Sequence, residues 1–128
     1  PLPARMQRAH EVMVEVQNEL AGAGRPGVRA GDLYDRALHI VERAGLVEGF
    51  MGFPRPVPFV GHGLGLELDE WPVITRRADF SLQEGMTLAL EPKVVFPGEG
   101  VVGVENTFVV EAGGMERLNA FPDTLVAL

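Results

Sequence analysis

The sequence predicts an α+β fold, two helices followed by an antiparallel sheet. Three observations carry that expectation. Apolar residues recur at steps of three and four as far as residue 44, β-branched residues concentrate after Met86, and Gly- and Pro-containing turns separate the β-rich segments. Helices first and strands afterwards is the α+β order. At 128 residues, 46% of them hydrophobic, the chain fits a single domain (1–128) with a sizeable core.

The elements follow in order. From Arg5 to Gly22, Met6, Ala9, Met13, Val16 and Leu20 form one apolar stripe with charges between them, which marks an amphipathic helix. Ala23-Gly24-Arg25-Pro26-Gly27 breaks it. A second helix is expected from about Gly31 to Ala44, with Leu33, Ala37, Ile40, Val41 and Ala44 inward. Asp32 suits its positive N-terminus, and Gly45 its left-handed cap. Residues 46 to 85 read as mostly irregular. The three prolines of Phe53-Pro54-Arg55-Pro56-Val57-Pro58 exclude a central strand, and Trp71-Pro72-Val73-Ile74 is a short extended piece. Met86 to Phe96 and Val101 to Val110 then read as a hairpin through Pro97-Gly98-Glu99-Gly100, with a second turn at Ala112-Gly113-Gly114.

Composition excludes several functions. Net charge is −7 and the 11 basic residues form no dense stripe, which argues against nucleic acid as a partner. No apolar run reaches the ~18 residues of a membrane helix, so no membrane partner is expected. The N-terminal residues lack the apolar core of a signal peptide. Zero cysteines exclude disulfides, thiolate catalysis and Cys-type zinc sites, and fit a cytoplasmic location. The start at Pro1 rather than Met leads us to expect a piece of a longer protein.

His62, Glu91 and Glu105 are the candidate metal ligands, since an imidazole and two carboxylates suit a divalent first-row metal. A hairpin folded about residue 98 sets Glu91 opposite or nearly opposite Glu105. Alternation places Thr87, Ala89 and Glu91 on one face with Glu105, Thr107 and Val109, and Leu88, Leu90, Val104 and Phe108 on the other. Like charges paired across strands are destabilising by up to ~1 kcal/mol, a sign that a shared cation would reverse. The bland reading stands beside this one. Glutamates on a hairpin are usually a solvated face, and the glycines around His62 could mark a turn. His10 and His39 lack a second His at ligand spacing, so packing is the expected role for both.

Gly61-His62-Gly63-Leu64-Gly65-Leu66-Glu67-Leu68-Asp69-Glu70-Trp71-Pro72 resembles the histidine motif of the pita-bread metallopeptidases. Leu82-Gln83-Glu84-Gly85-Met86-Thr87-Leu88-Ala89-Leu90-Glu91-Pro92 and Val102-Gly103-Val104-Glu105-Asn106-Thr107-Phe108-Val109-Val110 resemble that superfamily's two glutamate motifs, in order. Residues 67–72 favour its Xaa-Pro aminopeptidase and Xaa-Pro dipeptidase (prolidase) branch. The resemblance implies a site of two aspartates, one histidine and two glutamates around two divalent ions (Mn²⁺, Co²⁺ or Zn²⁺). His62, Glu91 and Glu105 match the last three. The aspartate hairpin would precede the first helix, so the chain resembles the C-terminal part of a catalytic domain, without those strands or any N-terminal domain.

By the same resemblance, the parent hydrolyses the peptide bond before a proline in second position, with Glu91 as general base and His62 also at the catalytic centre. The isolated chain would hold one ion or none and be inactive. Asp69 stands where the branch often carries a substrate-contacting histidine, and Gly103 where many members carry an arginine. A carboxylate at 69 is normally an acceptor rather than a donor; it either contacts substrate or stabilises a turn. A creatinase-like C–N hydrolase is a second reading, opposed by retention of both glutamates. A non-catalytic binding module is a third, supported by Asp69 and Gly103. Missing strands would leave an exposed sheet edge, so a homodimer is expected.

Overall fold

In the computed structural model, which describes residues 2–126, helix α1 spans Ala4–Ala23 and α2 spans Ala30–Arg43. α1 buries the whole expected stripe, Met6, Ala9, Met13, Val16 and Leu20, and adds His10 and Gln17. α2 buries Leu33, Ala37, Ile40 and Val41. Ala44, expected on that inward face, is exposed instead, because the helix ends at Arg43 and Ala44 is its C-cap. Gly45 then takes a positive φ of 71°. Its N–H donates to Glu42 O at 3.0 Å while Leu46 N–H donates to Val41 O at 3.0 Å. Those two bonds form a Schellman cap, and Leu46 packs against the core beyond it.

Seven strands follow among the described residues: β1 Phe59–Gly63, β2 Glu70–Thr75, β3 Thr87–Leu90, β4 Lys93–Phe96, β5 Gly100–Gly103, β6 Asn106–Glu111 and β7 Gly114–Arg117. A five-stranded sheet runs β2-β1-β3-β6-β7, and β4 and β5 form a separate two-stranded sheet. All the pairings are antiparallel. α1 packs on α2 and against β4, β5 and β7; α2 packs against β1 and β2. The core lies between helices and sheet, where Met13, Leu20, Leu33 and Val41 meet Leu88, Leu90, Phe108 and Val110.

Two expectations need amending. Residues 46 to 85 are mostly irregular, as expected, but they contribute β1 as well, and β2 is longer than the expected four-residue piece. β1 escaped notice because Phe59-Val60-Gly61-His62-Gly63 carries two glycines, which weaken a strand's local signal. The second correction concerns the hairpin from Met86 to Val110, which is not one ladder. Glu91-Pro92 and Val104-Glu105 interrupt it, so its two halves belong to different sheets. Pro92 cannot donate to a ladder, and Glu91 N–H turns to Val60 O at 3.0 Å. Register nonetheless survives the break. Leu90 faces Asn106 on one side and Lys93 faces Gly103 on the other, which sets Glu91 opposite Glu105.

Candidate active site

His62 is the fourth residue of β1, with Val73 of β2 across from it on one side and Ala89 of β3 on the other. The flanking glycines permit this. A Cβ at Gly61 would lie 2.6 Å from Ala89 O, and one at Gly63 would lie 2.5 Å from Trp71 O. Both obstacles are backbone atoms, so no side-chain shift could relieve them, and only glycine allows the strands this close to His62. The glycines therefore mark close backbone approach inside a strand.

The imidazole is 6% exposed and fixed from two sides. Phe59 meets it edge-on, with ring centroids 6.1 Å apart. Nδ1–H donates to Gly63 O at 2.9 Å. A carbonyl oxygen only accepts, so the hydrogen sits on Nδ1, and in a neutral ring the Nε2 lone pair is left free. That lone pair faces Glu91, whose Oε1 lies 3.4 Å from Nε2. Glu91 extends the β3 face that carries Thr87 and Ala89; its side chain is 12% exposed. The Thr87 hydroxyl donates to Leu64 O at 2.5 Å and pins the glycine-rich loop to β3.

Asp69 and Glu105 stand at the rim. Asp69 Oδ1 lies 3.7 Å from His62 Nδ1, on a side chain 65% exposed. Glu105 is opposite Glu91 in register but exposed to solvent. Among the described residues no three His, Asp or Glu side chains converge as a metal-binding group. Of the three expected ligands, the structure thus brings His62 and Glu91 together and leaves Glu105 apart. His10 is buried in α1 and His39 is exposed on α2, both away from the pair.

The pair fits a metal as part of a ligand set. Two donor atoms bound tetrahedrally at ~2.1 Å stand about 3.4 Å apart, which matches the Nε2–Oε1 separation. With Nδ1 donating to Gly63 O, a neutral ring presents Nε2 and Glu91 Oε1 as two acceptors, which a proton or a metal ion between them would bridge. The bond from Nδ1 to Gly63 O supplies the outer hydrogen bond that orients a ligating imidazole.

Sequence reasoning missed two features. Lys93 Nζ donates to Glu91 Oε2 and neutralises the carboxylate from the side away from His62. Its signal was available: Lys93 is the only lysine among 11 basic residues, two positions after Glu91. The other feature is a polar cluster beneath Glu105. Asn106 Nδ2 donates to Gln17 Oε1 and to Asp123 Oδ1, both at 2.8 Å, while Asn119 Nδ2 donates to Asn106 Oδ1 at 2.6 Å. Arg117 Nη1 donates to Asp123 Oδ2 at 2.9 Å. Burial pushes the Asp123 carboxyl up. Hydrogen bonds from Asn106, Arg117 and Gln17, with the Arg117 charge, outweigh burial and hold it below its ordinary value. The cluster ties α1, β6, β7 and the C-terminal segment together directly behind Glu105.

A concavity of about 1370 Å³ lies elsewhere, along α1 between Met6, His10, Val14 and Leu125. It contains none of His62, Glu91 or Glu105. His62 and Glu91 bring ligand-type atoms together, whereas that hollow gathers none of the expected ligands.

Residues 1–112 match the model of metallopeptidase family M24. The chain belongs to that family. This M24 chain is 32% identical over 114 residues to the Xaa-Pro dipeptidase of Pyrococcus furiosus, covering 89% of this chain and 31% of that protein. It superposes on a dipeptidase structure from Pyrococcus horikoshii with TM-score 0.84 at 34% identity, covering 94% of this chain and 32% of that one. An X-Pro aminopeptidase structure from Thermotoga maritima gives TM-score 0.87 at 26% identity, covering 97% and 34%. The M24 chain therefore has the expected pita-bread architecture, and spans about a third of the length of the relatives it matches.

Proposed function

We propose that this M24 chain is the C-terminal part of the catalytic domain of a dinuclear-metal Xaa-Pro peptidase, which hydrolyses the bond before a proline in second position. One observation carries the proposal: His62 Nε2 and Glu91 Oε1 stand 3.4 Å apart on one sheet face. Similarity to Xaa-Pro dipeptidases supports the substrate class. Divalent ions bound at such a site, of the Mn²⁺, Co²⁺ or Zn²⁺ type, acidify water and polarise a peptide carbonyl.

The chain's own residues supply the rest. His62 offers Nε2 as a ligand in an orientation fixed by Gly63 O and Phe59. Glu91 accepts the proton of the attacking water and returns it to the departing proline nitrogen. Glu105 contributes a further carboxylate from the opposite strand, and Asp69 faces the substrate at the rim. Two aspartates from outside this chain complete the ligand set, so the 128 residues alone are inactive and hold one ion or none. The cytoplasm is the proposed compartment, on a composition without cysteine. A homodimer completes the reading. β2 is an edge strand, and Leu66, Leu68 and Trp71 are exposed in and beside it.

The test uses the full-length protein with Mn²⁺ or Co²⁺ and an Xaa-Pro dipeptide. Hydrolysis is expected, with Glu91→Ala reducing kcat by about 100-fold or more, the scale of a lost general base. Unchanged turnover in Glu91→Ala would sink the assignment.

A further inference from the structure

We infer that Asn106 is the positioning residue of Glu105: it ties the start of β6 to the core, so that the neighbouring carboxylate is delivered to the site face as a metal ligand. The inference rests on the peptidase reading above and adds to it what aims the one expected ligand that stands apart.

Alternation along β6 supplies the direction. Asn106, Phe108 and Val110 are buried on the core side, so Thr107, Val109 and, one step before the strand, Glu105 lie on the other face. That face is the face of the site, since Thr107 pairs with Ala89 and Ala89 pairs with His62. The Glu105 carboxylate is exposed, and no hydrogen bond or ion pair among the described residues holds it. Only its backbone can aim it. On one side Val104 N–H donates to Pro92 O at 3.2 Å. On the other side stands Asn106.

Asn106 is held far more firmly than its position at a strand end requires. It is 5% exposed, and its amide donates to Gln17 and Asp123 and accepts from Asn119. Gln17 is 1% exposed on α1, and Arg117 holds Asp123 in turn. Asn119 also secures the next residue, its Oδ1 accepting from Thr107 N–H at 2.9 Å. An apolar side chain at 106 would continue the row of Phe108 and Val110, whereas a satisfied buried polar network fixes a single arrangement. The network sits where that matters most. β5 ends at Gly103 and β6 begins at Asn106, so without the anchor Glu105 would be tethered on one side only. The C-terminal segment thereby serves the site through Asn119 and Asp123, although it carries none of the expected ligands.

The experiment titrates the full-length protein with Mn²⁺ by calorimetry and follows the bound ions by electron paramagnetic resonance, which separates a spin-coupled ion pair from single ions. The wild type should bind a coupled pair. Asn106→Ala should weaken binding of the second ion by about tenfold or more, the scale of a lost outer partner of a ligand, and replace the coupled signal by that of single ions. Asn106→Asp sets a carboxylate against Asp123 Oδ1 and should act alike; adding Asp123→Asn returns a donor to that contact and should restore the pair. Where Asn106→Ala fails to fold, Asn106→Asp and its double variant decide. Val41→Ala truncates the core on α2 away from the cluster and should keep the coupled pair, which separates positioning from lost stability. A folded Asn106→Ala protein with a coupled pair at wild-type affinity overturns the inference, as does a loss of coupling that Val41→Ala shares or that Asp123→Asn leaves unrestored in Asn106→Asp. The peptidase reading fails separately. A coupled pair that depends on Asn106, in a protein that does not hydrolyse Ala-Pro, keeps this inference and removes that function; a wild type that binds no Mn²⁺ overturns both.

Discussion

Replacing Asn106 by alanine removes three hydrogen bonds at the residue that follows Glu105, and their surroundings set the cost. Gln17 Oε1 loses its 2.8 Å partner in a position 1% exposed, where no water replaces it. A stranded buried acceptor costs about 1–3 kcal/mol. Asp123 Oδ1 and Asn119 Nδ2 lose bonds of 2.8 Å and 2.6 Å, but both residues are only partly buried and can recruit solvent. About 0.5–1.5 kcal/mol for each is the ordinary net value. Asn106→Ala should therefore destabilise the fold by about 3 kcal/mol. Equilibrium urea unfolding followed by circular dichroism reads this directly. With a slope of about 2 kcal/mol per molar, the midpoint should fall by ~1.5 M with the slope preserved. Asn119→Ala, at the edge of the cluster, serves as a control with a smaller shift. A midpoint within ~0.3 M of wild type for Asn106→Ala would refute the view that this cluster anchors β6 to α1.

Two further outcomes follow from the same structure. The Asp123 carboxyl is held below its ordinary value of 3.8, so its stabilising contribution is complete above about that pH and is lost as pH falls through the depressed folded-state value. Asp123→Asn should be less stable than wild type at pH 7 and should converge with it in acid; a stability difference independent of pH would refute the assignment. Light scattering should give about twice the monomer mass, and Trp71→Glu, which charges the exposed β2 edge, should raise the concentration at which dimers form. A monodisperse wild-type monomer would remove the dimer from the reading.

What could be read from the sequence was whatever rests on periodicity. Met6 to Leu20 and Leu33 to Val41 announce their buried faces because a helix repeats its inward positions several times. The hairpin register was legible because the tight turn at residues 97–100 fixes which residues meet on both sides. β1 was not legible: Gly61 and Gly63 are set by distance to Ala89 O and Trp71 O, atoms remote in sequence. Three short linear motifs pointed to His62, Glu91 and Glu105. Convergence is a property of three dimensions, and it holds for His62 with Glu91 but not for Glu105. Lys93 belongs to the same class, since its significance comes from the oxygen it reaches.

The break in the hairpin explains why two carboxylates can stand opposite one another. In a continuous ladder, a directly opposed glutamate pair costs up to ~1 kcal/mol, and nothing in the fold would favour keeping it. Here the ladder opens at that pair. Glu91 N–H goes to Val60 O on β1, and Val104 N–H still reaches Pro92 O across the gap, so the two arms keep their register while they pass from one sheet to the other where the charges meet. Lys93, the first residue of β4, then places its ammonium on Glu91, while Glu105 is left to solvent. The proline that ends β3's ladder, the strand bend and the lysine act together. They hold Glu91 largely buried beside His62 with one oxygen compensated and the other facing the imidazole. Replacing Pro92 with a residue that can donate to the ladder would favour continuity across the break and press the two glutamates together. The geometry at His62 and Glu91 thus depends on the sheet being interrupted at this position.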